Sequence, residues 1–362
     1  MFKNFNAKLV ILLILAAVAL SGCGLTVSTG SAPAAGTGSA TDGGVFKTLN
    51  KGLNWQQLAS IQTVGQAQNF ASMDIKALAM DPSDNQAIYA GSAANGMFYS
   101  YNGAASWQIT QILGSIAVND IAVDPKNKCV VYVASENKVY KSSDCSRTWL
   151  GMYFDNDPTV KINSLAIDYN NSNNVFIGTT RGEIIKSADA GASWRTLNRF
   201  NSAVNKIAIN PANFRIMYVG TADKGVFRTI DAGASWASLA NQLKAFDDIS
   251  RFRDLAMAKE AKMDVFLATT YGLLKSTDDG NSWTKIELIT PEKDATINAV
   301  AVNPANVNEI YYVTNTTFYR SLDGGKTWSS RKLPTNRTGA KLLIDPVNPS
   351  VLYLAAKKAS VK

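Results

Sequence analysis

The chain has 362 residues, a formal net charge of +8 and no histidine. Without histidine, the sequence excludes Ser-His-Asp and Cys-His nucleophiles, histidine acid–base catalysis and histidine metal sites. Its lysine and arginine residues are scattered, without a basic run or an RNA-stacking motif, which argues against a nucleic-acid partner. We therefore expect no catalytic constellation, no metal, no cofactor and no bound nucleic acid.

Residues 1–22 have the pattern of a signal peptide. Lys3 and Lys8 precede an apolar run over 9–20, and this run is too short for a comfortable transmembrane helix. The tetrapeptide Leu-Ser-Gly-Cys that ends at Cys23 resembles the lipobox of bacterial lipoproteins. We expect Cys23 to be lipidated, and the protein to be anchored to a membrane of the bacterial cell envelope, facing the periplasm or the exterior. The alternative is an ordinary signal peptide with a chance cysteine.

Lipidated Cys23 and a flexible linker are expected to occupy residues 23–43. The linker is rich in Gly, Ser, Thr and Ala, a composition that cannot form a core. About 20 such residues span roughly 25 Å root-mean-square. We place the folded body at 44–356 and a short basic tail at 357–362.

Cys129 and Cys145 flank two predicted strands that meet in a turn near Glu136. In an antiparallel hairpin the numbers of paired residues have a constant sum. Pairing Ser135 with Val139 gives the same sum as pairing Cys129 with Cys145. We therefore predict a disulfide between the two cysteines, because exported proteins allow disulfides to form. The alternative is a reduced pair in poor geometry.

A repeat of about 45 residues runs through the body, and each of the seven tryptophans closes one copy of it. The clearest copies read Ser/Thr-x-Asp-x-Gly-x-Ser/Thr-Trp. The tryptophans are Trp55, Trp107, Trp149, Trp194, Trp236, Trp283 and Trp328. Weaker copies carry Asn50 or Asn102 at the Asp position, and Ser146 replaces the glycine of the third copy.

The recurring aspartates are interpreted as structural. An Asp side chain can accept backbone N–H bonds within its own turn, and glycine supplies a backbone angle that other residues avoid. The alternative, catalytic carboxylates or a metal site, would require side chains on separate repeats to converge on one substrate. The residues assigned to turn staples are Asp144, Asp189, Asp231, Asp278 and Asp323.

Three short strands precede each motif, so the fold class is all-β: a single seven-bladed β-propeller with four-stranded blades. The innermost strand of each blade recurs at 75–81, 118–124, 162–168, 204–210, 252–258, 297–303 and 339–345. The first motif lacks its two inner strands, and the segment 341–356 supplies two inner strands without a motif. The ring is therefore expected to close with N- and C-terminal strands sharing one blade.

One position of the innermost strands is nearly always alanine, as the crowding of strands near the axis of a propeller requires. Its occupants are Ala79, Ala122, Ala166, Ala208, Ala256, Ala301 and, as the exception, Leu343.

The motif resembles the Asp-box, or bacterial neuraminidase repeat. Together with the strands before it, it looks most like sortilin-type propeller repeats, and it is similar to repeats of photosystem II assembly factors and of xyloglucan-degrading glycoside hydrolases. The resemblance covers 44–356 and implies the propeller fold; its relatives include both peptide- or protein-binding propellers and hydrolases.

The hydrolase interpretations fit less well. Sialidases are six-bladed and use an arginine triad and a tyrosine nucleophile, and the Phe-Arg-Ile of residues 214–216 stands in the wrong repeat for their early motif. Xyloglucanases of this type pair two propellers, and only one is present. No acidic pair has the spacing that glycoside hydrolysis demands. We therefore expect no enzyme activity.

A partner is expected at the face that carries the turns between second and third strands and the connections between blades. Six residues are nominated there as candidate binding residues: Asn163, Arg181, Lys224, Arg253, Tyr271 and Asn298. One position near the start of each inner strand also predicts a polar ring around the channel mouth: Lys76, Asn119, Asn163, Asn205, Arg253, Asn298 and Ala340. The alternative is that these are ordinary solvated loops.

The sequence thus predicts a non-enzymatic, membrane-anchored scaffold that binds an unknown protein or peptide of the cell envelope and is itself a monomer. The alternative function is a carbohydrate-active propeller, either a glycoside hydrolase or a glycan binder. All seven tryptophans are assigned to blade structure, which argues against exposed sugar-binding platforms.

Overall fold

The computed structural model describes residues 41–110, 113–259, 263–294 and 296–359. The predicted signal peptide, Cys23 and the linker up to residue 40 lie outside the described residues. The described part contains strands, turns and connections, and no helix within it is long and apolar enough to cross a membrane.

The strands, numbered in chain order, form seven four-stranded antiparallel sheets, and each sheet is one blade. The chain begins with β1 (Gly44–Thr48), β2 (Gln56–Gln57), and the short pair β3 (Ser60–Ile61) and β4 (Gln68–Asn69). Blade 1 contains β5 (Ile75–Asp81), β6 (Asp84–Ser92), β7 (Met97–Ser100) and β8 (Gln108–Ile109). Blade 2 contains β9 (Asp120–Val123), β10 (Val131–Ser135), β11 (Lys138–Ser142) and β12 (Leu150–Phe154).

The next blades repeat this pattern. Blade 3 contains β13 (Ile162–Ile167), β14 (Val175–Thr179), β15 (Glu183–Ser187) and β16 (Arg195–Arg199). Blade 4 contains β17 (Val204–Ile209), β18 (Met217–Thr221), β19 (Val226–Thr229) and β20 (Ala237–Ser238). Blade 5 contains β21 (Phe252–Lys259), β22 (Met263–Thr269), β23 (Leu273–Ser276) and β24 (Thr284–Ile286). Blade 6 contains β25 (Ala299–Asn303), β26 (Asn306–Val313), β27 (Thr317–Ser321) and β28 (Ser329–Lys332).

Blade 7 closes the ring with strands from both ends of the described chain. Its inner strands are β29 (Thr338–Ile344) and β30 (Leu352–Lys357), and its order is β2-β1-β30-β29. Five residue pairs join β1 to β30, from Gly44–Ala356 to Thr48–Leu352. The predicted fold class and the shared closing blade are therefore confirmed.

An extra hairpin explains the longest interval between two tryptophans, the one from Trp55 to Trp107. Strands β3 and β4 are inserted between blade 7 and blade 1, and Ile61 forms a parallel bridge with Trp107 at the outer edge of blade 1. The backbone N–H of Trp107 donates to the carbonyl of Ser60 at 2.9 Å, and the N–H of Gln62 donates to the carbonyl of Trp107 at 2.8 Å. The repeat length alone does not reveal this insertion.

The apolar core is divided among the interfaces between blades. In the described part of the chain, buried apolar residues form seven clusters, each of which joins two neighbouring blades. Each cluster contains one tryptophan of the repeat; Trp194, for example, packs among β10, β13 and β14. The Trp194 indole N–H donates to the carbonyl of Met152 in the preceding blade at 2.9 Å. The tryptophan that closes a repeat therefore fastens its blade to the one before it.

The hairpin that carries the two cysteines has a different register from the predicted one. Ser135 pairs with Lys138, not with Val139, so Glu136 and Asn137 form a two-residue turn. Beyond the strands the register shifts by one residue, and the N–H of Cys145 donates to the carbonyl of Cys129 at 3.1 Å. In the structure the two cysteines are joined as a disulfide, although the constant-sum argument that predicted the pairing does not hold through the strands.

Candidate functional site

Hydrogen bonds between turns define the two faces of the disc. The Asp-box turns lie beside the turns between first and second strands: the N–H of Ala190 donates to the carbonyl of Asn173 at 2.9 Å. We call this the Asp-box face. On the opposite face, the turns between second and third strands bond to the connections between blades, as Phe200 N–H does to the Gly182 carbonyl at 2.8 Å. We call this second face, formed by those turns and connections, the loop face.

The Asp-box turns are built as the sequence predicted. Asp189 accepts the backbone N–H of Ser193 at 2.8 Å on Oδ1 and the Ser193 hydroxyl at 2.6 Å on Oδ2. The Ser187 hydroxyl donates to Asp189 Oδ1 at 2.7 Å and accepts the N–H of Gly191 at 2.7 Å. Hydrogen bonds from Ser193 and Ser187 lower the pKa of Asp189 to about 2. Both carboxylate oxygens therefore accept hydrogen bonds from their own turn.

The other aspartate turns share this geometry. Hydrogen bonds from the local hydroxyl and backbone N–H groups lower the pKa to about 2 in Asp144, Asp231 and Asp323. Burial alone would raise the pKa of Asp278, but the hydrogen bonds from Ser282 and Ser276 outweigh this effect, so that the pKa is lowered. These five carboxylates lie in five different blades, and each accepts hydrogen bonds within its own turn.

The third turn departs from the pattern at the glycine position. Ser146 adopts a φ of 66° there, a left-handed conformation that favours glycine. Its hydroxyl is buried and has no hydrogen-bond partner. Ala104 occupies the same position of the second turn with a φ of 68°, a substitution that the sequence pattern did not single out.

The loop face carries all six nominated binding residues, spread over blades 3 to 6. No hydrogen bond or ion pair joins any two of the six, all of which belong to the described chain. Tyr271 donates its hydroxyl proton to Glu292 at 2.7 Å; burial, followed by this bond, raises the pKa of Tyr271. The Asn298 side chain donates to the side-chain oxygen of Asn315 at 2.9 Å, within the same blade.

Arg181 is not a free cation. Its guanidinium bonds to Glu183 and Asp155 at 2.7 and 2.8 Å, and both carboxylates are buried. Arg199 adds a second cation to Glu183 at 2.9 Å. Hydrogen bonding to Glu183 raises the pKa of Arg181. The charge of this nominated residue is thus neutralised within blade 3 and its incoming connection, and Arg181 has a structural role.

Arg253 and Lys224 remain as cations without an ion-pair partner among the described residues. Arg253 is half-buried, and its buried Nε has no hydrogen-bond partner. Lys224 is exposed at the tip of the turn between β18 and β19. Two further lysines, Lys76 and Lys357, lie at the same face; burial lowers the pKa of each, and in Lys357 the nearby charges of Lys76 and Lys341 lower it further. These four cations have no ion-pair partner among the described residues of the loop face.

Two members of the predicted polar ring, Lys76 and Asn119, join neighbouring blades. The Lys76 ammonium donates to the side-chain oxygen of Asn119 at 2.9 Å, and Asn119 donates to the Ile162 carbonyl at 3.1 Å. Among the seven positions of the predicted ring, only Asn205 lines the central cavity. The nominated residues Asn163 and Arg253 therefore stand outside the cavity wall.

A central cavity of about 510 Å³ follows the axis of the ring. All seven members of the predicted small-residue position line it, including the exceptional Leu343. Its wall continues to the prolines of the turns on the Asp-box face, Pro82, Pro125, Pro211 and Pro304. Toward the loop face, the cavity is lined by five charged or polar side chains: Asp120, Ser164, Lys206, Asp254 and Lys341. Sequence analysis missed these five residues, although each stands two positions before the recurring small residue.

The Asp-box face also exposes apolar side chains. Leu49, Ile230 and Leu322 occupy the variable position of three Asp-box turns and are 48–69% exposed. Val347 lies in a neighbouring turn of blade 7 and is 75% exposed. No group of three or more His, Cys, Asp or Glu residues in the described ranges could hold a metal ion.

Comparison with known proteins gives the fold and a partial family match. The family model of sortilin (Sortilin-Vps10; Sortilin, neurotensin receptor 3) matches residues 271–362. No curated protein matches the sequence significantly.

Solved structures resemble the whole ring. The GH74 xyloglucanase from Xanthomonas campestris superposes with a TM-score of 0.65 at 18% identity, over 79% of this chain and 51% of that chain. YCF48 bound to D1 peptide gives a TM-score of 0.59 at 12% identity, over 80% of this chain and 94% of that chain. YCF48 from Cyanidioschyzon merolae gives a TM-score of 0.61 at 11% identity, over 82% of this chain and 98% of that chain. The chain spans about half the length of the GH74 enzyme and nearly all of YCF48, and at these identities the likeness establishes a shared propeller fold.

Proposed function

We propose that this propeller is a non-enzymatic scaffold of the cell envelope that binds a protein or peptide through its loop face. The observation that carries the proposal is the pair of cations Arg253 and Lys224, which have no acidic partner in the described chain, whereas Arg181, Arg199 and Lys293 of the same face are paired. The accessible part of the half-buried Arg253 guanidinium and the exposed Lys224 ammonium are suited to an acidic or carbonyl-rich partner, because charge-assisted hydrogen bonds are stronger than neutral ones.

The comparisons support this function over a hydrolytic one. YCF48, a propeller of about the same extent as this chain, has been solved with a bound D1 peptide. The GH74 enzymes contain about as much chain again as the part that matches here. Each tryptophan of this chain packs within an interface between blades, so none offers an exposed ring for stacking on a sugar.

Membrane anchoring through Cys23 is part of the proposal. The chain enters the propeller at the loop face, because Asp42 bonds there to Arg337 and Thr335, which belong to the connection between blades 6 and 7. A flexible linker of roughly 25 Å would keep the body close to the membrane and leave it free to turn. The partner would accordingly be a membrane protein or a peptide presented close to the membrane surface.

Site-specific photo-crosslinking in cells tests the proposal. A photoreactive amino acid is placed at Lys224 on the loop face or at Ile230 on the Asp-box face; both side chains are exposed, and they flank the same strand, β19. We expect a discrete protein adduct from position 224 and not from position 230. Lys224→Glu combined with Arg253→Gln should abolish an adduct formed from a probe at nearby Tyr271.

Three results would contradict the proposal. An adduct only from position 230 would move the partner to the Asp-box face, and the lack of any adduct from either face would argue against a protein partner. Release of reducing sugars from xyloglucan by the purified protein would support the carbohydrate-active alternative.

A further inference from the structure

Five polar side chains that line the central cavity on the side of the loop face share one position of the inner strands. This position stands two residues before the recurring small residue and is occupied by Ala77, Asp120, Ser164, Lys206, Asp254, Ala299 and Lys341. Ala77 and Ala299 are buried between blades and do not line the cavity. We call these seven residues the inner ring. In five blades the strand register shifts immediately before this position. Such a bulge re-aims a side chain, and the five polar members all line the cavity.

Three polar members of the inner ring are committed to neighbouring blades. The Lys206 ammonium pairs with Asp254 Oδ1 and also donates to the Leu255 carbonyl at 2.7 Å. The second oxygen of Asp254 accepts the N–H of Val300 at 3.0 Å. Burial raises the pKa of Asp254, but the charges of Lys206 and Lys341 outweigh it and lower the pKa overall. The Ser164 hydroxyl accepts the N–H of Ile207 at 2.9 Å.

Asp120 and Lys341 are the two charged members that lack an ionic partner. Asp120 Oδ2 accepts the N–H of Leu165 at 2.8 Å, and no described cation lies within ion-pair distance of this carboxylate. The Lys341 ammonium makes no hydrogen bond or ion pair with any described residue. Burial raises the pKa of Asp120, and the charge of Lys341 opposes that shift, so the two groups are within electrostatic reach without touching.

Blade 1 separates the strands that carry these two charges. Asp120 belongs to blade 2 and Lys341 to blade 7, and the inner-ring residue of blade 1, Ala77, is buried between blades and adds no side chain to the cavity. The wall below the ring is apolar: it includes Ala79, Ala122, Met80 and Val123. A cavity of about 510 Å³ lies within the usual size range of small-molecule sites, which are mainly apolar with a few placed polar groups.

We propose that the central cavity binds a small zwitterion with an apolar side chain, namely a free aliphatic α-amino acid. Its carboxylate pairs with the Lys341 ammonium and its ammonium pairs with the Asp120 carboxylate. Its side chain lies against the alanine and methionine wall toward the Asp-box face. A ligand with only one of the two charges would leave either Asp120 or Lys341 unpaired, and unpaired buried charges are costly. This site is separate from the loop-face partner site.

Calorimetry with matched ligands tests the inference on the full-length protein purified in detergent. The probes are L-leucine, L-valine and L-isoleucine, with 3-methylbutylamine and 4-methylpentanoate as the leucine analogues that lack the carboxylate or the ammonium. We expect the best amino acid to bind at least about tenfold more tightly than either analogue. Lys341→Met should remove the advantage over the amine, and Asp120→Asn should remove the advantage over the carboxylate.

Controls make the result decisive. Asp120→Asn keeps an acceptor for the Leu165 N–H, and Lys341→Met keeps the length of the side chain, so both variants should fold. Lys326→Met removes an exposed lysine of an Asp-box turn and should leave the amino-acid affinity unchanged. The inference is overturned if none of the three amino acids binds wild-type protein at millimolar concentration, or if both inner-ring variants bind as wild type does. Failure here would leave the crosslinking at Lys224 untouched.

Discussion

At the scale of single residues, the Asp-box turn shows why aspartate and asparagine alternate at one position. One oxygen of the side chain accepts two hydrogen bonds: one from the hydroxyl at the start of the turn and one from the backbone N–H four residues further on. The amide oxygen of asparagine can accept both of these bonds, as the carboxylate oxygen of aspartate does. Asn50 does so in the first turn, where it accepts the Asn54 N–H at 2.9 Å. Only aspartate can also accept the second hydroxyl on its other oxygen, as Asp231 does from Ser235 at 2.6 Å.

The lowered pKa values of the Asp-box carboxylates predict acid sensitivity. A carboxyl group whose pKa falls from 3.8 in the unfolded chain to about 2 in the folded one stabilises the fold fully above pH 4. That contribution is lost as the pH falls from about 4 to 2, because the folded state must then take up protons that the unfolded state already holds. We expect the urea midpoint to fall steeply in this interval.

Asp231→Asn isolates the contribution of one turn. The variant keeps the acceptor for the Ser235 N–H but cannot titrate. The number of protons taken up on unfolding below pH 4 should therefore fall by the contribution of one of the five Asp-box carboxyl groups. Asp231→Ala should be less stable than Asp231→Asn at pH 7, because it loses the acceptor itself. A pH profile of Asp231→Asn identical to that of wild type would show that these carboxylates do not set the acid limit.

At the scale of elements, the inner strands were the most predictable part of the molecule. The predicted strand at 75–81 is β5, and those at 204–210 and 252–258 differ from β17 and β21 by one residue. Their apolar alternation and the Asp-Pro or Asn-Pro turns after them are local signals. The bulge before the inner-ring position has no local signal, because an extra residue in one strand shows only against its partner strand. The register of the cysteine hairpin was wrong for the same reason.

The disulfide is the element-scale feature whose removal has the clearest expected cost. Cys129 and Cys145 are 16 residues apart, and closing a loop of about this size is worth about 3 kcal/mol in the chain-entropy description. Replacing both cysteines by serine should lower the free energy of unfolding by about that amount, measured with urea under non-reducing conditions.

Reduction provides the control for the disulfide prediction. Wild type treated with dithiothreitol should approach the stability of the double serine variant, and its mass should increase by the mass of two hydrogen atoms. Equal stability of oxidised wild type and the double variant would contradict a stabilising role, and free thiols in the exported protein would contradict the pairing itself.

At the scale of the whole molecule, sequence reasoning predicted the number of blades and the closing blade, but not the distribution of charge. Blade number follows from counting one repeated motif. The pairing of Arg181 with Asp155 joins a turn of blade 3 to the connection that leaves blade 2, 26 residues earlier, and no local pattern predicts it. The inner ring is an intermediate case, because its residues are aligned in the sequence, yet their meeting at the axis depends on seven strands converging there.

Ring closure depends on more than the β1–β30 ladder. Arg337 is 6% exposed and joins three segments at the closing blade. Its Nε bonds to Asp42 just before β1 at 3.0 Å, its Nη2 donates to the Ser72 carbonyl at 2.8 Å, and its Nη1 pairs with Asp74 just before β5. The guanidinium therefore holds the entering chain, blade 7 and the approach to blade 1 together.

Arg337→Met should weaken this closure. Removing one partner of a buried ion pair costs about 3–5 kcal/mol, and since Asp42 and Asp74 are 13% and 24% exposed, we expect a loss of about 2–3 kcal/mol in the free energy of unfolding. Amide hydrogen exchange in Gly44–Thr48 should accelerate, because β1 is the strand that the arginine helps to retain. Lys128→Met is the matched control: its pair with Asp84 spans 3.4 Å on the surface and should contribute less than about 1 kcal/mol. If both variants were equally stable and exchange in β1 were unchanged, the backbone ladder alone would account for closure.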